Sequence, residues 1–275
     1  MMCYFKNFLK YKKMIIAVGV MLVAYFPVLV WMWDRWWARD SYYSHGILIP
    51  FVSGYLIWQM RDELKCIEIK ESPIGLPIII GGLLLYFLSA LFRVNFTAGF
   101  SMLIVIIGMV LHFYGLNIFK KISFPVLFLF FMFPLPEVVI TNISFRMKLF
   151  AAHIATVWLN RIGIPALQKG SIILMRSAQI VVDDVCSGLR SLISLTALGS
   201  IFAFWMKSSM PKRILLFLTT IPIAIITNIC RIVFLASVSD IWGPKAAGGV
   251  THEVSGFIVF GLAFSLLYAA TKVIE

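Results

Sequence analysis

IGLPIIIGGLLLYFLSALFRVNFTAGFSMLIVIIGMVLHFYG, residues 74–115, carries one formally charged side chain, Arg93. The apolar runs on either side of it, 74–92 and 96–115, each approach the ~20 residues a helix needs to cross a bilayer. In hydrocarbon a lone chain satisfies its own N–H and C=O groups only as a helix. The stretch therefore reads as two crossing helices joined by a tight turn. Runs of the same character recur at 14–33, 46–60, 122–136, 187–206, 213–239 and 254–271, which makes eight in all. The chain is 61% hydrophobic and 13% charged, with a mean hydropathy of +0.96, whereas a soluble domain is about a quarter charged. A soluble globular fold is excluded. The expected class is an all-α polytopic membrane protein of about eight transmembrane helices, a single membrane-embedded domain over residues 1–275.

Two runs are less regular. The second and fifth are short, and Pro125, Pro134 and Pro136 are expected to kink or end the fifth. Residues 137–186 form the one long segment of mixed character. Its first half, 138–162, has apolar residues at helical spacing interrupted by Arg146, Lys148, His153 and Arg161, the pattern of an amphipathic helix lying in the membrane interface. In its second half, 171–175 and 179–183 alternate and predict a small β-hairpin ahead of the sixth span. Lys6, Lys10, Lys12 and Lys13 precede the first run as in a secretory signal. That run is too long and lacks a small-x-small cleavage site, so it reads as an uncleaved first span.

Lys and Arg are retained on the cytoplasmic side of short loops. With an inner amino terminus and residues 137–186 not crossing, the inner segments hold Lys6, Lys10, Lys12, Lys13, Arg61, Lys65, Lys70, Lys120, Lys121, Lys207, Lys212, Arg213 and Lys272. The short outer loops then hold only Arg35, Arg39, Arg93 and Lys245. A ninth crossing would place Lys207, Lys212 and Arg213 outside. The expectation is a cell-membrane protein with both termini cytoplasmic. The net charge of +12 then reports cationic loops against anionic lipid, and a nucleic-acid partner is not expected because the basic residues fall in short clusters rather than on one face.

This layout sorts the reactive side chains by membrane face. Cys3 and Cys66 fall inside; Cys186 falls at the outer start of the sixth span, Arg231 in the outer half of the seventh, and His252 at the start of the eighth. A thiol, an imidazole and a guanidinium at one face are the inventory of a cysteine nucleophile with its base and an anion stabiliser. Each residue also has a plainer reading. Cys186 is either a small buried residue or a thiol activated at a helix start behind Asp183 and Asp184. Arg231 either faces a polar partner or snorkels outward, since an arginine in a span costs about 2.5 to 3.5 kcal/mol on insertion scales. Cys230 reads as a packing residue. Asp183 and Asp184 either contact Arg190 or Arg176 or cap the sixth span. Arg190, one helical turn beyond Cys186, either holds an anionic substrate group or snorkels. No CxxC pair and no zinc-type spacing occurs, so neither a metal nor another cofactor is expected.

Five stretches carry a resemblance: Tyr43-Ser44-His45-Gly46, Phe133-Pro134-Leu135-Pro136-Glu137, Val185-Cys186-Ser187-Gly188-Leu189-Arg190-Ser191, Thr227-Asn228-Ile229-Cys230-Arg231-Ile232 and Thr251-His252-Glu253-Val254-Ser255-Gly256. In this order the chain resembles the exosortase/archaeosortase family, integral-membrane cysteine transpeptidases that process proteins bearing a carboxy-terminal sorting signal. The resemblance implies that Cys186 is the nucleophile, His252 its partner and Arg231 the family's arginine; His45 and Glu137, in motif-like stretches at the outer face, either shape the substrate groove or have a structural role. It implies as partners exported proteins whose tail holds a short motif such as Pro-Glu-Pro, a membrane helix and basic residues, with a glycan or lipid as possible acceptor. Two other classes stand beside it. A transporter should show paired halves or several intramembrane carboxylates. A non-catalytic component of surface polysaccharide export should tolerate replacement of Cys186.

Overall fold

The computed structural model describes residues 2–38, 41–183 and 186–275, with side chains from residue 12 onward. It is helical except for one small sheet, and it divides into two compact units, Met1–Leu135 and Pro136–Glu275.

In the first unit α1 (Met2–Ala24) and α2 (Phe26–Trp37) meet at a 64° bend. Pro27, at the start of α2, supplies no N–H and its ring crowds the preceding turn, so one long apolar run becomes a bent pair. After α3 (Leu48–Gln59) and α4 (Arg61–Lys65) come α5 (Gly75–Leu91) and α6 (Asn95–Tyr114), the helical hairpin expected of residues 74–115. Arg93 makes its turn with φ 56°. Gly75 and Gly108 let the two helices touch: a Cβ at either would strike the backbone of the other helix, which is how small residues drive packing where the surroundings are as apolar as the helices. α7 (Leu116–Phe128) contains Pro125 and passes into a 3₁₀ turn, Leu129–Met132. Side chains from 36–53 fasten this stretch. Trp36 Nε1 donates to the Met132 carbonyl (2.9 Å), the Leu135 N–H to Tyr43 Oη (3.2 Å) and Ser53 Oγ to the Pro125 carbonyl (2.6 Å).

The second unit holds α8 (Glu137–Arg161), strands β1 (Ala166–Lys169), β2 (Ile172–Met175) and β3 (Gln179–Val181), then α9 (Leu189–Trp205), α10 (Met210–Trp242) and α11 (Val250–Ile274). The sheet is antiparallel in the order β1-β2-β3, so the expected hairpin is present with a third strand ahead of it. α10 is shared between two cores. One, with α9 and α11, is built on Leu195, Leu216, Ala224, Ala263 and Leu267. The other, with α8 and the sheet, gathers Ala151, Ala155, Leu159, Ile173, Val182, Cys186, Ile229 and Ile232.

The span count departs from the sequence expectation. Among the described residues four helices, α6, α8, α10 and α11, have the length and apolar composition to cross a membrane, or five with the bent α1–α2 pair; α3, α5 and α9 are apolar but shorter. The chain is thus a helical multi-pass membrane protein, with eight crossings not established by length alone. Residues 122–136, expected as the fifth span, are divided between the end of α7, the 3₁₀ turn and an extended segment at Pro134–Pro136, where proline prevents continuation. α8, expected in the interface, is one unbroken helix of 25 residues that suits a crossing. Arg146 and Lys148 fall within every 18-residue stretch of it, and the apolar residues around them keep it hydrophobic enough to cross.

Candidate active site

Separate elements of the second unit bring Cys186, Arg231 and His252 together: the β3–α9 connection, the last third of α10 and the first turn of α11. Cys186 Sγ lies 3.0 Å from His252 Nε2, and Arg231 Nη2 lies 3.2 Å from the same nitrogen. Arg231 Nη2 also donates to the His252 carbonyl (3.1 Å), Arg231 Nε donates to Ser255 Oγ (3.1 Å), and the Ser255 hydroxyl donates to that same carbonyl (2.7 Å). A guanidinium only donates. Nε2 is therefore an acceptor, the neutral ring carries its proton on Nδ1, and the thiol is the donor toward Nε2. Arg231 thus sets the tautomer that turns a lone pair toward the sulfur.

The phase of α10 puts the arginine there. Thr227, Asn228, Arg231, Ile232 and Leu235 are buried at spacings of three and four, one face of the helix. Arg231 is 9% exposed, so it is turned inward to partners and does not snorkel. Cys230, a hundred degrees round the helix, is exposed; it does not pack inside the bundle as expected, because its neighbour occupies the inner face.

The loop carrying the thiol is held from both sides. Asn228 Nδ2 donates to the Cys186 carbonyl (2.9 Å), and the Cys186 N–H donates to the Asp183 carbonyl (2.9 Å). Gly188 has φ 81°, and a Cβ there would lie 2.9 Å from the Asn228 amide; only glycine meets both conditions. Burial in the apolar cluster pushes the Cys186 thiol pKa up. The Arg231 charge opposes this and the Asp183 carboxylate adds to it, leaving the thiol above its ordinary value. The resting sulfur is protonated.

The other candidate residues are placed differently. α9 begins at Leu189, after the left-handed Gly188, so Cys186 precedes the helix and Arg190 is not one helical turn beyond it. Arg190 is half-buried in the first turn of α9, and its Nε is buried with no hydrogen-bond partner among the described residues. Glu137 is exposed at the first residue of α8. About 21 Å of helix, at 1.5 Å per residue, separates it from Ala151, which packs in the same cluster as Cys186; the structure does not bring Glu137 to the thiol. His45 belongs to the first unit, in the turn before α3, its ring stacked on Tyr43. Burial lowers the His45 pKa to about 4 and raises that of Tyr43 to about 12. Asp183 is exposed, and Asp184 lies outside the described residues. Among those residues no group of three His, Cys, Asp or Glu side chains gathers to hold a metal. Sequence reasoning missed Asn228, Ser255 and Gly188. The signal for Asn228 and Ser255 was spacing, three residues from Arg231 and from His252 within the same short stretches.

A family model described as transmembrane exosortase matches residues 36–269. The chain belongs to the transmembrane exosortase family. No curated protein and no solved structure matches it. The matched region of this exosortase contains the whole constellation of Cys186, Asn228, Arg231, His252 and Ser255, together with both units' fastening contacts around Tyr43 and Gly188.

Proposed function

We propose that this exosortase is a membrane cysteine transpeptidase that removes the carboxy-terminal sorting signal of exported proteins and passes them to a surface acceptor. The supporting observation is the 3.0 Å contact from the Cys186 thiol to a His252 nitrogen held as an acceptor by Arg231. His252 Nε2 takes the thiol proton while the sulfur attacks the scissile carbonyl carbon. Arg231 stands beside the developing oxyanion and neutralises it. The C–N bond then breaks, the leaving amine takes the proton from His252, and the acyl group remains on Cys186 as a thioester. An amine or hydroxyl acceptor, or water, attacks that thioester and returns the proton and the thiol. Arg190, whose buried Nε has no hydrogen-bond partner among the described residues, holds an anionic group of the substrate. The bent pair, α3, α5, α6, α7 with its 3₁₀ turn, α9, α10 and α11 supply eight crossings: Lys121 pairs with Glu63 beyond one end of α3 while Met132 and Leu135 are held by Trp36 and Tyr43 before the other, so α7 and the 3₁₀ turn run the length of α3. Both termini then lie in the cytoplasm and Cys186 at the outer face, as the basic loops require.

The test is co-expression with an exported protein carrying such a tail, compared on a gel for the native chain, Cys186→Ala and His252→Ala. The expected outcome is loss of the tail with the native chain only. Processing that persists in Cys186→Ala would remove the nucleophile and return the chain to a non-catalytic role in export.

A further inference from the structure

The strand nearest the thiol has an open edge. β3 lies at one side of the sheet, and its last residue, Val181, is five positions before Cys186. Ile173 pairs with Ile180, the Val182 N–H donates to the Ser171 carbonyl (2.9 Å) and the Met175 N–H to the Ala178 carbonyl (2.8 Å). Residues 178, 180 and 182 therefore turn their backbone groups toward β2. Because an antiparallel ladder alternates, the N–H groups of Gln179 and Val181 and the Gln179 carbonyl point to the free side. The Val181 carbonyl accepts from the Asp183 N–H (3.1 Å).

The other edge is capped at Ala166. By the same alternation Ala166 turns outward from β1, and there Asn160 takes both of its groups: Oδ1 accepts from the Ala166 N–H (3.0 Å) and Nδ2 donates to its carbonyl (2.9 Å). Among the described residues no side chain caps β3 in this way. Gln179-Ile180-Val181 also lacks the charge or proline by which natural edge strands are blunted, and Val181 is 46% exposed.

This open edge is tied to the sulfur. Ile173 and Ile180 pack into the cluster that contains Cys186, Ile229 and Ile232, and Asp240 at the end of α10 accepts from the Ser177 N–H in the β2–β3 turn (3.3 Å). An enzyme that attacks a peptide bond must hold that bond extended, and main-chain pairing with a sheet edge does so whatever the side chains. We infer that β3 is the docking edge for the peptide substrate, whose extended residues beside the scissile bond add to the sheet as a fourth strand. The inference rests on the transpeptidase reading for the identity of its guest, but not for its test.

Because strand pairing reads the backbone, the probe is a mixture of capped peptidyl chloromethyl ketones randomised in their side chains, applied to the purified chain in detergent. Each alkylates a thiol by displacing chloride. Adduct formation is followed by intact mass, with Cys186→Ser assigning the site and chloroacetamide as the non-peptide reference, both reagents normalised to their rates with glutathione. The peptidyl probes should modify Cys186 at least tenfold faster than the reference. N-methylation at alternate probe residues should abolish that advantage, while N-methylation at the residues between leaves it. Hydrogen exchange at residues 179–181 should slow in the adduct and stay unchanged at 166–169. No advantage over chloroacetamide, an N-methyl effect without period two, or unaltered exchange at 179–181 would each overturn the inference. So would slow exchange at 179–181 that is already present without probe and is lost on dilution, since the guest would then be a second copy of the chain. Failure of the transpeptidase reading shows separately, in the co-expression gel.

Discussion

A buried thiol beside an acceptor nitrogen behaves differently from a thiolate–imidazolium pair. Burial and Asp183 hold Cys186 above the ordinary thiol range against the pull of Arg231. The thiolate fraction therefore falls about tenfold for each pH unit below that raised value. Alkylation of Cys186 by a neutral reagent such as iodoacetamide should climb throughout pH 6 to 9 without reaching a plateau. A plateau already present at pH 6 would mean a preformed ion pair, and would contradict the geometry. Cys186, Arg231 and His252 were legible in the sequence because each is chemically conspicuous in an apolar chain. Asn228 and Ser255 were not, since a small polar side chain in a span usually bonds its own helix, as Thr227 does to Ile223, and nothing in composition marks the one that reaches another loop. Gly188 was equally silent: that its φ is positive, and that an amide lies against its α-carbon, are facts of the fold.

At the scale of elements the legible parts were those with an unambiguous period. The α5–α6 hairpin follows from two apolar runs and one arginine. Its close approach at Gly75 and Gly108 gives a prediction. Gly108→Leu should lower the melting temperature of the purified chain, the overpacking costing about 1 to 3 kcal/mol, whereas Gly81→Leu, where a Cβ meets nothing within 4 Å, should leave it unchanged. Equal effects at the two positions would refute tight packing as the cause. β1 escaped notice because Ala166-Leu167-Gln168-Lys169 has little strand propensity. It is held instead by Asn160 of α8 on Ala166, and by its own Gln168, whose Nε2 donates to the Leu149 carbonyl in α8 and the Gly170 carbonyl in the turn. The fifth span was legible in part for a related reason. Hydropathy registers apolar character in 122–136, but the helix begins earlier, at Leu116, and prolines end it before residue 136.

For the whole molecule, the proposed layout keeps the fifth crossing in α7 and its 3₁₀ turn, and its sidedness is the one expected from the basic loops. It is checked with a membrane-impermeant maleimide on intact cells. Exposed Cys66 should be labelled only after lysis, while Ser177→Cys, in the exposed β2–β3 turn, should be labelled from outside when Cys66 is replaced by Ser. Labelling of Cys66 in intact cells would reverse the orientation.

α10, finally, acts as a ruler. Its 33 residues extend about 50 Å, well beyond a hydrocarbon core of about 30 Å. The 18 residues from Arg213 to Arg231 measure about 27 Å, so in the proposed layout the two cations stand at opposite boundaries of the lipid. In the proposed reaction the bond is therefore cut at a fixed depth, level with the lipid headgroups. A tail whose helix is anchored in the same bilayer would be accepted according to how far along the chain its cleavage point stands from that helix. Selection then rests on distance along the membrane normal as well as on the residues of the signal.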